Sequence, residues 1–105
     1  MKKVISLREL AHARSGDKGG NANIGVIAYH EEAYQILHRN LTAERVHHHF
    51  RLLSPRSTIR YEVPNLLAFN FILYGILDEG GSRSLRIDSQ GKSLAEALLF
   101  LSIEL

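Results

Sequence analysis

The sequence predicts a two-layer α+β domain, a mixed four-stranded sheet with helices mainly on one face. Two observations carry that expectation. Short runs of β-branched and aromatic residues, punctuated by Gly, Ser, Asp and Asn, alternate with stretches whose apolar residues recur at helical spacing. The length, 105 residues of which 45% are apolar, suits one domain over residues 1–105. A chain of this size buries roughly 60–70% of its unfolded surface, enough for a real core.

Residues 3–10, KVISLREL, read as the first strand, with Val4, Ile5 and Leu7 in partial alternation. Arg14–Asn21, RSGDKGGN, is dense in glycine and small polar residues and reads as a loop. Residues 22–29, ANIGVIAY, form the second strand, so the loop closes a hairpin. Glu31 and Glu32 suit a helix N-terminus, and Tyr34, Leu37 and His38 give the helix an inner stripe, with Asn40 as the stop. Thr42 caps a second helix through Phe50, with Ala43, Val46 and Phe50 inward. After a loop at Ser54–Ser57, Thr58–Val63 alternates as the third strand until Pro64 ends it. Asn65 then caps a long Leu-rich run, Leu66–Leu77, read as a buried helix in preference to a strand. Asp78–Ser82 is a loop and residues 84–87 a fourth strand. Ser93 and Glu96 have the spacing of a capping box, opening a last helix with Leu94, Ala97, Leu98 and Leu101 inside. The order β-β-α-α-β-α-β-α matches a ferredoxin-like two-layer sandwich.

Composition excludes several functions. With no cysteine there is no disulfide, thiolate metal site or cysteine nucleophile, and a cytoplasmic location is expected. No signal sequence is expected at Met1–Leu10, because Arg8 and Glu9 interrupt the apolar stretch. The longest apolar run is too short for a membrane span, which needs about 20 residues. Thirteen Lys and Arg against eleven Asp and Glu are nearly balanced and scattered, and only Tyr61 offers an aromatic in the third strand. Neither a basic cluster nor an RNA-stacking strand is present, so no nucleic-acid partner is expected. His47, His48 and His49 point about 100° apart on a helix, unlike the i, i+4 pairs that hold metals. They read as a solvated face, and neither metal nor cofactor is expected.

Two glycine-rich segments are the candidate site. In SGDKGG, glycines let backbone N–H groups converge, and Lys18 adds a cation for an anion. In GGSRS, Arg83 can grip a carboxylate or phosphate with two hydrogen bonds. The competing readings are a plain hairpin turn and a helix stop. If the two loops share a sheet edge, Asp17, Lys18, Asn21 and Arg83 line one polar pocket for a carboxylate or phosphate. No Ser-His-Asp set can be assembled, and His12 beside Arg14 and Asp17 is only a weak acid–base candidate. Asn70, inside an apolar run, needs a hydrogen-bond partner, either loop backbone or ligand.

ARSGDKGGNANIG (residues 13–25), LTAERV (41–46), RYEVPNLLAFNFIL (60–73) and SRSLRIDSQGKSLAEALL (82–99) together resemble one family. It is the small domain found at the C-terminus of acyclic terpene utilisation protein A, which also occurs free-standing. The resemblance spans nearly the whole chain and implies a ferredoxin-like fold. It also implies a link to bacterial catabolism of acyclic terpenes and related branched acyl compounds through acyl-CoA intermediates. This chain resembles the split form, without the larger companion domain, and no catalytic residue carries over. Where the family often has Asp, this chain has Gly20, so the loop has one carboxylate fewer. The expected role is an accessory subunit that binds a larger chain of the family or self-associates. The alternative is a stand-alone module or enzyme for a carboxylate, phosphate or acyl-CoA ligand.

Overall fold

The computed structural model describes residues 3–76 and 93–105. Strand β1 (Val4–Ser6) is short, because a 3-10 turn at Leu7–Glu9 follows at once and drives Leu7 fully into the core. The polar run expected to be a loop is itself a strand, β2 (Ala11–Lys18), paired antiparallel with β3 (Asn21–Ala28) from Ala11↔Ala28 to Lys18↔Asn21. The expected hairpin therefore exists, but shifted along the chain, and its turn is only Gly19–Gly20. Gly19 takes φ +63°, left-handed backbone that a residue without Cβ adopts freely. Main-chain hydrogen bonds hold β2 in the ladder, so exposed Ser15, Gly16 and Asp17 form a strand without an apolar signature.

Helices α1 (Glu31–Asn40) and α2 (Ala43–His49) follow as expected. His30 Nδ1 accepts from Ala33 N at 3.1 Å, and Thr42 Oγ1 accepts from Arg45 N at 3.1 Å. Each bond satisfies one of the orphan donors of a first helical turn. A 3-10 turn at Arg51–Leu53 then leads to β4 (Ser57–Val63).

The largest departure is the Leu66–Leu77 run. It is not a helix but, after a 3-10 turn at Pro64–Leu66, strand β5 (Ala68–Tyr74). Phe69, Phe71 and Leu73 are buried on one face while Asn70, Ile72 and Tyr74 are partly open on the other, a period of two. The aromatic and β-branched content favours a strand, and pairing on both sides with β3 and β4 satisfies its backbone. Asn65 lies in the turn rather than capping a helix.

The strand order in the main sheet is β2-β3-β5-β4. The expected mixed sheet is antiparallel at every described pairing, because β5 enters between β3 and β4. Those two strands run parallel to each other across it, the split β-α-β arrangement of a ferredoxin-like layer. Ser93 Oγ accepts from Glu96 N at 3.2 Å, opening α3 (Leu94–Leu98). That helix stops earlier than expected, and β6 (Ser102–Glu104) pairs with β1 in a second, two-stranded sheet. The expected loop at 78–82 and strand at 84–87 lie outside the described residues.

Ile24, Val26, Phe69, Phe71 and Leu73 point to the same side of the main sheet and meet Tyr34, Leu37, Val46 and Leu98 from the helices. Among the described residues the helices therefore cover one face. No described helix packs on the opposite face of the sheet.

Candidate functional site

Residues paired across antiparallel strands share a face, so the register gives the composition of the uncovered side. Across β2, β3, β5 and β4 its rows read His12–Ile27–Ala68–Val63, Arg14–Gly25–Asn70–Tyr61 and Gly16–Asn23–Ile72–Ile59. The last row starts with the Lys18↔Asn21 pair and ends with Tyr74↔Ser57. Basic positions lie along β2, amides along β3 and β5, and apolar and aromatic residues along β5 and β4. No position in these rows is Asp or Glu.

A groove of about 570 Å³ opens here, lined by Asn21, Ala22, Asn23, Tyr61, Ile72 and Tyr74. Asn23 Nδ2 donates to Asn70 Oδ1 at 3.4 Å, so Asn70 finds its partner in another side chain. One long bond leaves both amides with donor and acceptor capacity to spare. Asn21 Oδ1 accepts from Gly75 N at 2.9 Å, tying the start of β3 to the end of β5. The Tyr61 phenol first, and burial second, push the Tyr74 phenol above its ordinary range. Such a surface can offer neutral donors and acceptors beside an apolar wall.

The four residues expected from sequence do not all meet. Lys18 and Asn21 face each other across the hairpin turn. Asp17 is paired with Ala22, on the face the helices cover, so the strand pleat separates it from Asn21. Arg83 lies outside the described residues.

Two further polar clusters lie at the helix layer. Glu62 accepts from Arg60 Nη2 at 2.9 Å, and its other oxygen lies 3.1 Å from His38 Nε2. Arg60 Nη1 also donates to the carbonyls of His38 and Leu41, the last turn of α1. The Arg60 guanidinium, and with it His38, holds the Glu62 carboxyl below the usual carboxylate range. His38 is thus not part of the inner stripe but an exposed clasp between α1 and β4. Tyr34 lies beside this network, stacked on Phe69 at 4.7 Å, with burial pushing its phenol up and its hydroxyl left without a partner. The expected solvated histidine face is also divided. His47 Nδ1 bonds Thr58 Oγ1 at 2.8 Å and His49 Nε2 donates to the Ala97 carbonyl at 2.9 Å, leaving His48 outward. Both sets tie elements together. No cluster of three or more His, Cys, Asp or Glu suited to a metal occurs among the described residues.

Residues 5–104 match the AtuA ferredoxin-like domain, all but the ends of the chain. The chain belongs to this family. No curated protein and no solved structure matches it. In this AtuA ferredoxin-like domain, no described helix is long and apolar enough to cross a membrane. Sequence reasoning missed the Asn23, Asn70, Tyr61 and Tyr74 surface because the strand that assembles it, β5, read as a helix. The signal available was the spacing by two of Asn21, Asn23 and Gly25, and of Asn70, Ile72 and Tyr74.

Proposed function

We propose that this AtuA ferredoxin-like domain is an accessory, partner-binding subunit in bacterial catabolism of acyclic terpene or branched acyl compounds. It works in the cytoplasm beside a larger chain of the same family, and the uncovered sheet face is where that chain docks. One observation carries the reading. Ile59 and Tyr61 are 40% and 49% exposed on a face that no described helix covers, next to Ile72 and Tyr74. Contiguous exposed apolar surface of this kind marks interaction sites. The test is co-purification from the native host, with mass spectrometry of partners and retained ligands. Recovery of a larger chain of the family supports the proposal. A domain that emerges alone and monomeric at micromolar concentration contradicts it, and a homodimer would assign the same face to a second copy.

A second reading, a module for a small anionic ligand such as a carboxylate, phosphate or acyl-CoA, is favoured by the groove beside Asn21 and Asn23. Its volume falls within the range usual for small-molecule sites, about 300–1,000 Å³. Lys18 and Asn21 stand at its hairpin end, whereas Asp17, also expected from sequence, lies across the strand pleat and Arg83 lies outside the described residues.

A further inference from the structure

We propose that the uncovered sheet face binds a small amphipathic monocarboxylate, its head over β2 and β3 and its aliphatic chain over β5 and β4. This rests on the ligand reading above and gives it a location and a ligand class.

Three features of this face converge. The first is the groove, whose walls are both amide and apolar rather than uniformly either, and which adjoins the Arg14–Gly25–Asn70 row on the same face. A ligand that fills it must itself be polar at one end and apolar at the other. The second is charge. His12 and Arg14 lie on this face and, among the described residues, no acidic one does, so the polar end is matched by an anion. Arg14 and Asn70 fall in one register row, separated only by Gly25, which puts a guanidinium and an amide on either side of a flat spot. A carboxylate there can take a two-pronged bond from Arg14 and an N–H from an amide. The third is that flat spot. Gly16 and Gly25 face the same side, and neither has the left-handed backbone that demands glycine. A Cβ at Gly25 would meet only the Arg14 carbonyl, at 4.0 Å. Glycine inside a strand weakens it, and where the backbone does not require it, it often marks close approach by a ligand. From β2 to β4 the face spans three strand spacings, roughly 14 Å. That length accommodates a carboxylate over Gly25 and a medium aliphatic chain across Ile72 to Ile59 and Tyr61.

The experiment is a titration of the ¹⁵N-labelled domain with octanoate, with 1-octanol and acetate as probes lacking the charge and the chain. Octanoate should shift the Asn23, Gly25 and Asn70 signals at concentrations where octanol and acetate bind at least tenfold more weakly. Gly25→Leu should abolish those shifts while keeping the melting temperature, since the added side chain points into open space. Arg14→Gln should weaken octanoate at least tenfold and leave octanol unchanged. Octanoate shifts confined to other surfaces, equal binding of octanol, or unchanged binding in Gly25→Leu would each overturn this site while leaving the broader ligand reading standing. Absence of any octanoate shift would overturn the site, while phosphate and acyl-CoA titrations decide the broader reading separately.

Discussion

The two faces of β5 are made from alternate residues of one seven-residue strand, yet they do opposite things. Phe69, Phe71 and Leu73 are buried under α1 and α2 in an all-apolar core with no buried polar residue among those described. Ile72 and Tyr74 line a groove with amides and phenols at its walls, and Asn70 shares their face beside it. A single change of period thus separates residues that hold the fold from residues free to meet something else. The difference teaches that stability and recognition are divided here by the pleat of the sheet, not by domain or by segment.

Paired truncations break that comparison most strongly. Phe71→Ala should cost about 3–5 kcal/mol in urea unfolding, through lost transfer energy and a cavity. Ile72→Ala, its neighbour on the open face, should cost about 1 kcal/mol or less. Equal costs would mean that the second face is as well covered as the first. Gly75→Ala comes next. It places a Cβ in left-handed backbone at φ +77° and 2.7 Å from the Arg56 guanidinium, so a loss of about 1–2 kcal/mol is expected from the backbone alone. A neutral result would show that the end of β5 is free to readjust.

The smallest effect concerns the clasp at the edge of the covered face. Glu62 is held below the ordinary carboxylate range, so it contributes stability above its unfolded pKa. That contribution is lost as pH falls through the lower folded value. Glu62→Gln should therefore leave a melt at pH 7 slightly weaker and flatten the acid limb of the stability profile. An acid limb identical to wild type would show that the Arg60–Glu62–His38 contacts carry no linkage.

Much of the covered layer was legible in the sequence. Glu31 and Glu32 open α1, Thr42 caps α2, the α1 stripe of Tyr34 and Leu37 is buried, and β4 alternates up to Pro64. The ferredoxin-like class and the family were legible too. What the pattern hid was the strand at the centre of the sheet. β5 carries apolar residues on both faces, so its alternation is masked, and Leu66 and Leu67 lengthen the run to a helical span. β2 was hidden for the opposite reason, since its exposed end has almost no apolar residue to alternate. With both misread, the surface they build with β3 was invisible, because its residues come from four strands.

The claim that the open sheet face is the working surface is tested most directly by two charge substitutions compared in one pull-down from the native host. Ile59→Lys lies on that face, whereas Leu52→Lys lies at a position 84% exposed in the turn after α2. Ile59→Lys should lose the larger family chain while melting like wild type, and Leu52→Lys should keep it. Retention of that chain by Ile59→Lys, or its loss only in Leu52→Lys, would contradict the account.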